Sequence, residues 1–142
     1  MILLKIKIII LGQSTATFNF NFSEVLLAAI VTPIFLYLWF KQFESNMIFI
    51  NLRKDKKGKV SSETHSMPKG GWFKYLSSPH MTAEVGMYLI LYALLFKNTS
   101  YIYCIGWVVS NQLSNALLTH KWYKETFSNY PKERKAFIPY VL

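Results

Sequence analysis

The stretch SEVLLAAIVTPIFLYLWF, Ser23 to Phe40, carries one charged side chain, Glu24, at its second position. Its apolar part lies near the lower limit of the ~17–25 residues that cross a bilayer as a helix. A chain holding such a run must cover it with lipid or with protein. Pro33 is expected to kink this helix, which membrane helices tolerate. Trp39 and Phe40 stand where an interfacial aromatic belt would be, and Lys41 is expected to end the span.

Three further apolar runs accompany it. MILLKIKIIILG opens the chain, but Lys5 and Lys7 interrupt it and no usual small-residue cleavage site follows. It reads as an imperfect membrane-associated segment. Glu84 to Phe96 forms a third run and Tyr101 to about Thr119 a fourth, separated by the short KNTS. Composition agrees: hydrophobic residues make up 52% and charged residues 16%, where soluble domains are nearer a quarter charged. The expected fold class is all-α, a polytopic membrane protein with three or four transmembrane or membrane-associated helices.

The formal net charge is +9. Nucleic-acid binding is one reading of a basic chain, but the aromatics here sit in apolar runs and not among the basic residues. Membrane topology explains the charge better. The loop from Lys41 to His80 carries Arg53, Lys54, Lys56, Lys57, Lys59, Lys69 and Lys74 against Glu44, Asp55 and Glu63, and the tail from His120 is also basic. The positive-inside rule places loop and tail in the cytoplasm and KNTS on the far side. The last two runs then form a helical hairpin, and loop and tail meet on one face. The sequon at Asn98 falls too close to the membrane for modification.

Lone Cys104 allows no intrachain disulfide and no Cys-based zinc site, and three histidines without paired spacing make no case for a metal. Polar residues inside a membrane tend to mark function. Asn111, Asn115 and Thr119 share one face of the fourth run, and Glu84 opens the third. Two readings stay open: hydrogen bonds between packed helices, or a polar pocket reached from the cytoplasm. RKDKKGK, Arg53 to Lys59, is either a solvated loop or a phosphate site. Arg53 follows the helix-like NMIFINL and so ends an ordered element, which makes it the better candidate for a specific phosphate contact.

MPKGGWFKYLSSPHMTAEV ahead of an apolar run, and THKWYKETFSNYPKERKAFIPYVL at the C-terminus, resemble the C-terminal domain of the steroid 5α-reductase family. The variant forms GGWFKYLSSPH and NLRKDKKGKV are most similar to its polyprenol (polyprenal) reductase branch. The resemblance runs over residues 36–142, leaving 1–35 as apolar segments without a family match. It implies a multi-pass enzyme of the endoplasmic reticulum that uses NADPH to saturate the α-isoprene unit of a long polyprenoid, on the route to dolichol and protein N-glycosylation. It implies cofactor contacts for Arg53 at phosphate, for Gln42 and Asn46 just before it, for His80 after the Ser-Ser-Pro turn, for Glu84 near the nicotinamide, for Asn115, and for His120 and Tyr123. Arg134 and Lys135 fall in the tail motif, between structural and cofactor roles.

The chain departs from the family pattern at Met81, usually Tyr, and at Asn46, where the branch tends to have His. Family members are also about twice as long. Their N-terminal helices supply the Tyr and Glu that polarise the substrate carbonyl, and residues 1–35 resemble none of them. The expectation is therefore a cofactor-binding half, with catalytic residues unknown and Glu84 in support. The alternatives are a non-catalytic protein that keeps that half, a steroid 5α-reductase proper, which Asn115 and SSPH disfavour, and an isoprenylcysteine methyltransferase-like enzyme, whose expected tail residues are missing.

Overall fold

The structure is a computed structural model, and it describes residues 21–54, 66–95 and 98–142. The opening apolar run up to residue 20, and Lys56, Lys57, Lys59 and Glu63 of the basic loop, lie outside the described residues. Three α-helices are present in this set: α1 Phe22–Leu52, α2 Pro79–Leu94 and α3 Tyr101–Thr126. There is no named strand among the described residues. The all-α expectation is met. Among the described residues, only α1 is long and apolar enough to cross a membrane.

α1 is longer than the apolar span that Lys41 is expected to end. The helix runs on through Lys41 to Leu52, so the apolar span and NMIFINL are one rod. Physically, a single Lys with good helix propensity does not end a helix, and Lys41 is held within the rod by an ion pair to Glu44 at 2.8 Å. At Pro33 the missing N–H leaves the Ala29 carbonyl without its helical donor, and one turn earlier Thr32 Oγ1 donates to the Ala28 carbonyl at 2.7 Å. Only 6% of the most apolar window of α1 is buried, unlike the core helix of a soluble domain. Leu26, Ile30, Leu36 and Trp39 are each about half exposed.

α2 begins earlier than the third apolar run suggested, with Pro79 at its first turn, where a missing N–H costs nothing. α3 outlasts the fourth run by about two turns. Ahead of α3, Asn98 Oδ1 accepts the Ser100 N–H at 3.1 Å, and α2 and α3 form the expected hairpin. α1 packs antiparallel on α2. Gly86 sets their approach: a Cβ there would meet Leu38 Cδ1 at 2.9 Å.

The C-terminal end of α1, the start of α2 and the end of α3 thus share one pole, and the connecting segments pack there. The Gly70-Gly71 pair enters it with φ of +96° and +47°, backbone that side chains rarely adopt. A 3-10 turn follows at Gly71–Lys74, with Trp72 edge-on to Tyr37 of α1. Phe73, Leu76, Ser77 and Ser78 are almost wholly buried. The tail runs beside them: Lys135 N–H donates to the Tyr75 carbonyl at 2.9 Å and Ser77 N–H to the Lys135 carbonyl at 2.8 Å. Loop and tail do meet, as the charge pattern implied.

Candidate functional site

Gln42, Asn46, Phe49 and Arg53 recur at helical spacing, so they form one stripe on α1. The stripe faces the first turns of α2. Its lower part is closed: Gln42 Nε2 donates to Glu84 Oε2 at 3.4 Å, a long bond between two half-buried groups. Its upper part opens into a cavity of about 490 Å³ lined by Asn46, Phe49, Ile50, Arg53, His80, Met81 and Thr119. That volume lies within the ~300–1,000 Å³ of small-molecule sites.

His80 forms one wall. Its ring stands edge-on to Phe49 at 5.2 Å, and Phe49 in turn stands edge-on to the buried Phe73 at 5.1 Å. This aromatic stack fixes the imidazole in place. His80 Nδ1 is buried and has no hydrogen-bond partner among the described residues, which costs free energy unless something pairs with it. Burial holds the His80 pKa below the ordinary 6.5, so the ring is neutral at neutral pH. Arg53 caps α1, is exposed, and makes no ion pair with a described residue. The cavity therefore offers, at its mouth, a guanidinium that no described residue pairs with and, in its wall, a ring nitrogen that no described residue meets.

Beside the cavity the Ser-Ser turn meets α3 and the tail. Ser77 Oγ lies 2.6 Å from His120 Nδ1, 2.6 Å from Tyr130 Oη and 3.0 Å from the Lys135 carbonyl, to which it donates. His120 Nδ1 is also 3.1 Å from Tyr130 Oη. Tyr123 is buried and stacks on Tyr130 at 6.0 Å; burial pushes its hydroxyl up to about 12, so it remains a proton-bearing phenol. Thr82 Oγ1 donates to the Phe137 carbonyl at 2.6 Å, a second tie between α2 and the tail. Arg134 is 4% exposed. It reaches the Pro68 carbonyl through Nη2 at 3.4 Å and lies over the Tyr130 ring, while Nε and Nη1 have no partner among the described residues.

Of the residues expected from sequence, Asn46, Arg53 and His80 come together in the cavity wall. Gln42 and Glu84 pair with each other below it and do not line it. His120 and Tyr123 belong to the neighbouring tail cluster. Asn115 is exposed and donates to Asn111 Oδ1 at 3.4 Å; Thr119, from the same polar face, does reach the cavity. Sequence reasoning assigned no role to Phe49, Ser77 or Tyr130. A hydroxyl in a buried turn leaves no periodic signal, and the partners of Ser77 lie 43 and 53 residues away in the chain.

Residues 9–142 match the family described as 3-oxo-5-alpha-steroid 4-dehydrogenase. The chain belongs to that family. Within it the chain is similar to proteins named polyprenal reductase. The one from Drosophila melanogaster is 52% identical over 110 residues, 77% of this chain and 34% of the relative. The Caenorhabditis elegans protein is 40% identical over 102 residues, 72% and 33%; the Homo sapiens protein is 38% identical over 109 residues, 75% and 34%. The chain thus spans about a third of the length of the curated relatives it matches. The 5α-reductase family match reaches back to residue 9, well before the residue 36 at which the motif resemblance begins, and residue 36 itself lies within α1.

Proposed function

We propose that this chain is the cofactor-binding part of an NADPH-dependent polyprenal reductase. Membership of the family and the names of its relatives support the reaction class; the observation that carries the site is the cavity between α1 and α2, with Arg53 at its mouth and the unmet His80 Nδ1 in its wall. Those donors fit a dinucleotide. An exposed guanidinium that no described residue pairs with suits a phosphate, and the buried Arg134, whose Nε and Nη1 have no partner among the described residues, adds cationic potential at the same pole. His80 and Asn46 offer neutral hydrogen bonds for the less charged end.

NADPH, when bound, supplies a hydride to the β-carbon of a conjugated carbonyl, with a proton going to the α-carbon. This chain's residues bind and orient. Arg53 holds phosphate. Phe49 and Phe73 keep the His80 ring from turning. Gln42 and Glu84 fasten α1 to α2 beneath the cavity, so that Glu84 supports the site through packing. The exposed apolar flank of α1 leaves a surface along which a polyprenoid lies in the bilayer. In this reading the apolar parts of α2 and α3 are membrane segments of a multi-pass protein of the endoplasmic reticulum, with the shared pole in the cytoplasm.

The test is direct binding to the chain in lipid nanodiscs, followed by nicotinamide fluorescence. NADPH is expected to bind, and Arg53→Ala to weaken it ~10–100-fold, the worth of one hydrogen bond to a charged group. Absence of saturable NADPH binding overturns the reading. Binding without NADPH consumption on added polyprenal points instead to a non-catalytic chain that keeps the cofactor half.

A further inference from the structure

Ser77 has one hydroxyl proton and room for two accepted hydrogen bonds, yet three polar groups crowd its oxygen. The Lys135 carbonyl only accepts, so its contact at 3.0 Å consumes the Ser77 proton. The contact to His120 Nδ1 at 2.6 Å must then be donated by the histidine. Tyr130 Oη, also at 2.6 Å, donates to the remaining lone pair. Every close contact at Ser77 then has a proton. With Nδ1 bare, His120 and Lys135 compete for the single Ser77 proton, and one pair of acceptors faces each other inside hydrogen-bond distance. That arrangement is costly at a fully buried oxygen.

We propose that Ser77 is a positioning residue that holds His120 as the Nδ1–H tautomer, so that its ring offers Nε2 purely as an acceptor to an N–H or O–H donor on the bound molecule. This deepens the cofactor reading above, and the donor class it selects is an amide or a sugar hydroxyl. Three observations agree. Nε2 makes no hydrogen bond to a described residue. Burial, and then the positive charges of Lys124 on α3 and of Lys135 and Arg134 on the tail, disfavour a second proton on the ring. The tail bonds around Lys135 fix Ser77 from both sides, through its own N–H and through Tyr75. The tautomer is therefore set by a backbone carbonyl that cannot change its role.

The experiment uses the full chain, labelled with nitrogen-15 histidine, in nanodiscs. His120 is one of three histidines and is assigned by the signal lost in His120→Gln. The expected result is a protonated Nδ1 and a bare Nε2 near neutral pH. Ser77→Ala is expected to return the ring to the Nε2–H form that free imidazole side chains favour, and to weaken NADPH about two- to tenfold. Ser77→Thr, which keeps the hydroxyl, is expected to restore both, and it keeps the test informative if the alanine variant does not fold. An Nε2–H ring in the parent protein, or a ring state unmoved by Ser77→Ala with the fold intact, overturns the proposal. If the tautomer behaves as expected but NADPH binds none of these proteins, the cofactor reading falls and the tautomer lock stands.

Discussion

The cavity wall and the Ser77 cluster are made of similar residues, each with a histidine, an aromatic ring and an arginine nearby, but they treat their polar groups in opposite ways. At Ser77 the hydroxyl, the imidazole nitrogen, the phenol and a carbonyl close on one another within 3.1 Å. In the cavity His80 Nδ1 has no partner and Arg53 no ion pair with a described residue. A network matched everywhere but at His120 Nε2 has one acceptor left to give a ligand and much to give rigidity. An unmatched one stores binding capacity at the expense of stability. The difference separates a part that holds shape from a part that receives something, and it does so at one pole of the helix bundle.

Breaking the rigid side carries the largest expected effect. Phe73 is wholly buried and braces Phe49 behind His80; Phe73→Ala is expected to cost about 3–5 kcal/mol, read as a large drop in melting temperature in nanodiscs. An unchanged melt would mean that the turn is not part of the cooperative core. The receiving side should respond the other way round. Arg53→Ala, at an exposed helix end, is expected to leave stability within about 0.5 kcal/mol while costing ~10–100-fold in NADPH affinity. A variant that melts early but binds normally would reverse the two roles. Gly70→Ala falls between them. At φ +96° and ψ 172° Gly70 occupies backbone almost reserved for glycine, so a cost of about 1–3 kcal/mol is expected and both readouts should shift.

How much of this was legible in the sequence follows the range of the forces involved. The α1 stripe was readable because Asn46 and Arg53 lie on one helix, where spacing alone fixes the face. The hairpin was readable from two apolar runs and a short polar break. The meeting of loop and tail was readable from charge. The extent of α1 was not: Lys41 looks like a boundary when only hydropathy is weighed, yet helical hydrogen bonding and the Glu44 ion pair carry the rod past it. The number of spans is not readable from hydropathy alone for a related reason. An apolar run reports what must be covered, not whether lipid or a neighbouring helix covers it. The Ser77 hub was illegible, since its four groups come from a turn, a helix and a tail whose approach depends on tertiary packing. The Gly70-Gly71 pair read as any turn, because positive φ leaves no mark beyond glycine itself.

The smallest effect tests both regions together, through pH. Burial lowers the pKa of His80; burial, and then the charges of Lys124, Lys135 and Arg134, lower that of His120. A base whose folded pKa lies below its unfolded value binds fewer protons in the native state. Its contribution to stability is therefore intact above about pH 6.5, and is lost as pH falls below it. Melting temperature is expected to be flat from about pH 8 to 7 and to decline below about 6.5. His120→Gln and His80→Gln should each remove part of that decline, and in different ways. A ligand that pairs with the open His80 Nδ1 is expected to change the His80 share on binding. The His120 share is also expected to change, because a ligand donor at Nε2 takes the site of its second proton while Ser77 keeps Nδ1. A response confined to His80 would count against the Nε2 contact; no response at His80 would erase the distinction between a matched and an unmatched site.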